Sequence, residues 1–519
     1  MNGMNLHWSD WAAVALYFTV IFAIAWRVKA RQTSAVEYFL DGRRTHWIIV
    51  SVSLWASLFS TVSFVAMPGE AYKNGMLFSL YSLGYFMFTP LAMWLFLRFF
   101  YDTKSFTAYE YLERRFDVRV RAMGAVLFLG ARLLSGATVF YAAASVFEIL
   151  VGWDARVTIL VVGGFTIYYC YIGGMRAIMF TDFLQAVIIL LGLACVLVKL
   201  LALVGFDIGA VWHYASAQGK TFGRVTEPEF FSFDPHVRFS FWVWLTLSVL
   251  GPLDNYGTDQ LVVQRILSTS SYANARRAIL VKTAGTLPIS AMFYFVGVLL
   301  FYYYHRVAGP PPNVQPDQVL GYFINQHLPS PVPGLIVAAL LAALMSAVSA
   351  TVGSLSTVTT IDLVQRFSRE PLAHAQVLRL GKWCTVAGGT LTLALATGMV
   401  YLSKHTETTV LEVNKVAGSL WGVLLVVVLA GILTKWATAR AAFVALLVGI
   451  AMNTTLPWFF YYGTPPAERI SFAWVGIPGM AVAALVLVIG SRMDARKPTN
   501  LLGLTWRTQV NPNADAKTS

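Results

Sequence analysis

The stretch "SVSLWASLFSTVSFVAMPGEAY", residues 51–72, starts as a membrane-spanning helix and then fails to continue as one: Ser53, Ser57, Ser60, Thr61 and Ser63 crowd its middle, and Pro68-Gly69 follows. Hydrocarbon offers no water to an opened backbone, so an interrupted span survives only where protein or a wet cavity satisfies its N–H and C=O groups. A second stretch, "WVWLTLSVLGPLDNYGTDQLVVQRIL" (242–267), is interrupted at Gly251-Pro252 and then carries Asp254, Asn255, Gly257, Thr258, Asp259 and Gln260. Taken singly, either could be a simple Gly-Pro kink. Two interruptions five spans apart point instead to inverted repeats around a mid-membrane site, since a block of five spans reverses its own topology.

The rest of the chain has the composition this reading needs. Of 519 residues, 57% are hydrophobic and 12% charged, with a mean hydropathy of +0.64. That composition excludes a soluble protein of this size. About thirteen segments are long and apolar enough to cross roughly 30 Å of hydrocarbon. They fall near 10–26, 46–71, 77–100, 122–150, 155–172, 177–204, 240–264, 279–304, 333–364, 383–402, 411–434, 441–461 and 472–491.

The organisation expected is a first helix and cytoplasmic loop (1–45), a first repeat (46–204), an outer loop (205–239), a second repeat (240–434), two further helices (435–491) and a polar cytoplasmic tail (492–519). The flank "MNGMNLHWSD" has neither a basic n-region nor a small-residue cleavage site, so the first helix is read as a retained span.

Lys and Arg concentrate in cytoplasmic loops. With the N-terminus outside, the inner loops and tail hold 27 of the 38 basic residues, the outer segments 9, and Arg132 and Lys199 lie within helices. The expected orientation is therefore N-terminus outside and C-terminus cytoplasmic, in a cell membrane. The net charge of +13 reflects loops facing anionic lipid and requires no nucleic-acid partner. No obligate protein partner is implied. Cys170, Cys195 and Cys384 all sit in predicted spans, far from any His cluster, and read as small buried residues.

Candidate ion chemistry comes from two further stretches. In "GLIVAALLAALMSAVSATVGSLSTVTTIDL" (334–363), Ser346, Ser349 and Gly353 share one helix face, fitting either close packing or oxygen ligation. In "GGMRAIMFTDFLQAVIILLG" (173–192), Asp182 precedes a long apolar run. Asp182-x-x-Gln185 has the form of a capping box, while an ionisable residue at a span often marks an ion route. The residues alone leave both readings open.

The Gly-Gly, apolar stretch and Thr-Asp-x-x-Gln of that segment resemble the signature of the sodium/solute symporter family. "FTAYEYLERRFDVRVR" (106–121), "TDQLVVQRILS" (258–268) and "LMSAVSATVGSLSTVTTIDL" (344–363) are similar to further family blocks in the same order. The resemblance covers about residues 10–435 and is nearest the iodide, monocarboxylate and sialic-acid branch. It implies a five-plus-five inverted-repeat (LeuT-like) core with flanking helices, and symport of a solute driven by sodium as the coupling ion.

By position, the family's sodium ligands fall on the carbonyls of Ala56, Phe59 and Ala343 and the hydroxyl of Ser346, with Asp182 and Ser349 at a second cation site. Two positions that carry hydroxyls in family members are Ala347 and Ala350 here. One sodium per cycle is therefore expected, with proton coupling as the alternative.

The solute site is expected between the second, third, fourth and seventh spans. Ser60, Thr61, Ser63, Asn255 and Gln260 are its candidate polar residues. Arg132 is the only arginine expected deep within a span, and an unpaired guanidinium there should face a cavity, a carboxylate or an anion. In the sialic-acid branch an arginine and a glutamine grip the substrate; their positions fall on Ser135 and Ser82 here. A small organic anion is favoured over a sugar or amino acid. No HExxH, GxSxG or His–carboxylate constellation suggests an enzyme, and a channel lined by the same polar breaks is the competing class.

Overall fold

The computed structural model describes residues 6–510 except 30–33, 103–104, 310, 312–313, 406–409, 458, 460–463, 466–468, 497 and 499–500. The start of the N-terminal flank, part of the Pro-rich stretch near 310 and the end of the tail lie outside the described residues. Among those described, the fold is all-α, with one isolated bridge between Thr45 and Thr269.

The helices follow the expected order: α1 (Trp8–Lys29), α2 (Trp47–Leu58), α3 (Thr61–Asn74), α4 (Leu80–Ala92, prolonged by a π-turn and Arg98–Asp102), α5 (Tyr109–Arg115), α6 (Val118–Val151) and α7 (Ala155–Leu203). Then come α8 (Phe241–Gly257), α9 (Gln260–Leu267), α10 (Tyr272–Tyr302), α11 (Val332–Val358), α12 (His374–His405), α13 (Val410–Leu433), α14 (Ala439–Pro457) and α15 (Ile477–Met493). Nine helices among the described residues are long and apolar enough to span a membrane, and the bent pair α2–α3 makes a tenth.

Helix α7 has 49 residues, roughly 73 Å at 1.5 Å per residue and more than twice a hydrocarbon core. It is two spans, divided at Gly174, whose φ of 53° and ψ of −151° suit glycine and hardly any other residue. This fixes the fate of Asp182. It lies about two turns past the break, inside continuous helix, so the cap reading is overturned: the chain bends at the glycine, and no helix starts at the aspartate.

Helix α11 runs through the middle of the bundle and is buried along almost its whole length. It packs on α7, α6, α12 and α1. Its N-terminal start is tied to α1 by Asp10, which accepts from Gly334 N (2.9 Å) and Ser330 Oγ (2.7 Å). At its other end Asp362 accepts from Arg121 Nε (2.8 Å) and Thr107 Oγ1 (2.8 Å). Arg121 also pairs with Glu113 at 2.8 Å. Arg366, and then Arg121, hold the Glu113 carboxyl below the usual range. The core helix is thus clamped at both ends.

Candidate functional site

The first break sits between α2 and α3, which bend by 67°. Phe59 (φ −96°, ψ 126°) and Ser60 (φ −117°, ψ 165°) are extended, and Ser60 caps α3 by accepting from Ser63 N at 3.3 Å. In an unbroken helix Ser63 N would bond the Phe59 carbonyl; the cap diverts that donor. The Ala56 carbonyl accepts a short-turn bond from Phe59 N at 3.1 Å. Thr61 Oγ1 donates to Leu340 O at 2.8 Å and ties the break to α11, one turn before Ala343. Ala56, Ala343 and Ser346 are buried completely.

Ser346 Oγ donates to Asp182 Oδ1 at 2.7 Å, and Ser349 Oγ donates to the Ser346 carbonyl at 3.0 Å. A hydroxyl that gives its proton to a carboxylate keeps lone pairs for a cation. Asp182 itself has a partner from just past the expected seventh span (240–264). Arg265, at the end of α9, pairs with Asp182 Oδ2 at 3.1 Å, both side chains almost wholly buried. Ser53 Oγ bridges them, donating to Asp182 Oδ2 at 2.5 Å and accepting from Arg265 Nε at 2.9 Å.

Beside the break lies a cavity of about 260 Å³, room for roughly nine waters at about 30 Å³ each. One wall is aromatic: Trp55 stacks on Phe59 at 5.1 Å, and Phe59 meets Phe293 at 4.9 Å. The polar lining comes from Ser63, Ser82, Asn255, Lys282, Thr286 and Ser290 with Tyr81 and Tyr85. Asn255 Nδ2 donates to Tyr85 Oη at 3.1 Å and Ser82 Oγ to Ser290 Oγ at 2.9 Å.

Lys282 stands near the start of the expected span 279–304. It is buried, its ammonium 4.4 Å from the Tyr85 ring centre, and no described carboxylate pairs with it. The signal that would have found it is Ser271, which caps α10 by accepting from Asn274 N at 3.2 Å. A helix starting there carries Lys282 about three turns inward.

The expected solute residues therefore divide. Ser63, Ser82 and Asn255 line the cavity; Ser60, Thr61, Arg132, Ser135 and Gln260 do not. Arg132 pairs with Asp259 Oδ2 at 2.5 Å and lies over Trp421 at 4.8 Å. Ser135 Oγ turns back to the Arg132 carbonyl (3.3 Å). Gln260 accepts from Ala108 N (3.0 Å) and donates to Phe106 O (2.8 Å), so its whole amide holds the loop before α5. The fourth span contributes nothing to the cavity, because its charge is neutralised by the second broken helix.

A helical membrane protein with two broken spans, a freed carbonyl at one of them and a cavity lined by aromatic and polar side chains beside it has the build of a carrier. The family model of the Sodium:solute symporter family matches residues 38–449, and the chain belongs to that family. It is similar to the sodium/sialic acid symporter NanT of Aliivibrio fischeri, 27% identical over 89% of this chain and 91% of the relative. It is also similar to human sodium-coupled monocarboxylate transporter 1, 29% identical over 85% of this chain and 70% of the relative.

The solved structure of a Na⁺-coupled sialic acid symporter in a substrate-bound outward-open state superposes with a TM-score of 0.85 at 23% identity, covering 95% of this chain and 99% of that one. The fold is the five-plus-five inverted-repeat (LeuT-like) one. The protein is a multi-pass membrane transporter, not an enzyme, and couples the movement of a small solute to sodium.

Proposed function

We propose that the solute is a small organic anion bearing a carboxylate, held in the cavity by Lys282. The observation that carries this is the cationic side chain itself: a buried ammonium without a carboxylate partner is costly unless an anion completes it. The aromatic wall takes the apolar part of the solute, and Asn255, Ser63 and Ser82 orient its remaining polar groups. Relatives named for sialic acid and for monocarboxylates support an acid. The position of the arginine used in the sialic-acid branch is Ser135, so the anion contact has moved to α10.

Sodium is carried at the α2–α3 break, on the Ala56, Phe59 and Ala343 carbonyls and the Ser346 hydroxyl. Asp182 positions Ser346, and its charge is already matched by Arg265. With that charge matched and Ala347 and Ala350 lacking hydroxyls, one sodium per solute follows. The two repeats run 46–204 and 240–434, with the N-terminus outside and the C-terminus in the cytoplasm of a cell membrane, and the chain works without an obligate protein partner.

The test is counterflow in liposomes under an imposed sodium gradient, with labelled monocarboxylates, larger sugar acids, neutral sugars and amino acids. Carboxylates should be taken up, and Lys282→Gln should raise their KM at least about tenfold, the weight of one charge-assisted contact. A neutral solute preferred by the wild type, or an unchanged KM in a variant of normal melting temperature, removes Lys282 from the reading.

A further inference from the structure

On the face that carries the C-terminal segment lies a polar cleft of about 530 Å³, bounded by the α5–α6 junction, the start of α14 and, beyond α15, Arg496, Pro498 and Leu501. Its floor is Arg115, which is almost fully buried. The Arg115 guanidinium donates to Gly431 O (2.9 Å), Thr434 O (2.9 Å) and Ala437 O (3.2 Å). Gly431 and Thr434 stand at the end of α13 and Ala437 lies in the connection to α14, so this charge closes a helix terminus and fixes the cleft's shape.

Arg114, Arg119, Arg440 and Arg496 line the cleft as well. All four are exposed, and none has an ion-pair partner among the described residues. Both acids on the lining accept from backbone N–H groups. Asp117 Oδ1 accepts from the N–H groups of Arg119 and Val120 (both 2.9 Å), and Asp494 Oδ1 accepts from Arg496 N (3.0 Å). The starts of α6 and α14 add the positive ends of two long helices.

Four like charges around one cleft repel one another unless an anion sits between them, and guanidinium forks match the oxygens of a phosphate. We propose that this cleft binds a phosphate-bearing anion. Its chemistry is shared by two sources, the headgroup of an anionic phospholipid and a soluble phosphate. The cleft opens at the ends of spans α6, α14 and α15, level with a bilayer surface. In the orientation proposed above that surface is cytoplasmic; the site itself does not depend on the solute reading.

The full-length chain is purified with and without the paired change Arg119→Gln, Arg440→Gln, and both forms are checked for equal melting temperature without added anion. One arm reads lipid adducts by native mass spectrometry from nanodiscs of phosphatidylglycerol against phosphatidylcholine. The other reads the shift in melting temperature with inorganic phosphate and with pyrophosphate in neutral lipid. Loss of preferential phosphatidylglycerol retention by roughly thirtyfold in the paired variant, the scale for two arginines near a membrane surface, identifies the lipid source. A melting shift with pyrophosphate or phosphate in the wild type alone identifies the soluble one. Binding of both probes that is equal in the two forms, or absent in both, overturns the proposal.

Discussion

The two broken helices differ in the way opposite to their composition. The break between α8 and α9 is the more polar, with Asp254, Asn255, Thr258, Asp259 and Gln260, yet most of that polarity is matched by protein. Asp259 holds Arg132, Thr258 Oγ1 donates to Asp254 (2.5 Å), Tyr109 Oη donates to Thr258 O (2.9 Å), and Gln260 clamps the loop before α5. The break between α2 and α3 carries no charge. Its serine cap frees a carbonyl, and the cavity and α11 lie against it. Polar load marks where a membrane backbone is interrupted. It does not mark where a ligand binds, because protein groups compete for the same donors and acceptors.

The strongest way to break this comparison is at Arg265, where the second broken helix supplies charge to the core. Arg265→Ala leaves the Asp182 carboxylate without its charge partner, with neither side chain accessible in the parent. Removing one partner of such a pair costs about 3–5 kcal/mol. The apparent melting temperature in detergent should fall steeply, and pairing Arg265→Gln with Asp182→Asn should recover much of the loss. An Arg265→Ala protein that melts like the wild type would show that the pair is not holding α7 to α9.

A smaller effect, on stability alone, is expected at Gln260. Gln260→Ala strands Ala108 N and Phe106 O, a loss of about 2 kcal/mol. The KM values for sodium and solute should stay within twofold or so, since the amide contacts only the loop. A large rise in solute KM at unchanged stability would put Gln260 back at the site and erase the contrast between the breaks.

Much of this fold was legible in the sequence, because membrane spans follow from length and apolarity, and the two interruptions stand out against that background. Each of the thirteen expected segments falls on a helix or helix pair. The site was legible only in part. Ser63, Ser82 and Asn255, which belong to spans next to the first break, line the cavity. For Arg132 the sequence left a cavity, a carboxylate or an anion open; the structure supplies the carboxylate, Asp259, 127 residues away, a pairing that no local pattern reports. Lys282 and Arg265 were missed for the converse reason. Each stands near a span's end in sequence, where a basic residue ordinarily faces lipid headgroups, and only helix packing carries them inward.

The finest test concerns the proposed sodium position at the quieter break. Ser346→Ala removes a hydroxyl that already donates to Asp182, and should raise the half-saturating sodium concentration about tenfold, the cost of one contact to a charged group. Ala347→Ser works in the opposite direction and more weakly. Residue 347 follows Ser346 on α11 and is half-buried, so a serine there can add an oxygen without overfilling the core. It should lower the half-saturating sodium concentration a few-fold, by less than one full contact because the new hydroxyl must also give up a rotamer and compete with its own helix carbonyls. Sodium titrations of uptake at fixed solute, run on both variants, order these effects. If Ala347→Ser leaves the sodium curve unmoved while Ser346→Ala shifts it, the ion is held on the α2–α3 side of Ser346 and the alanine at 347 costs this protein nothing. If neither moves it, sodium is not carried at this break, and the contrast between the two broken helices lies in solute binding alone.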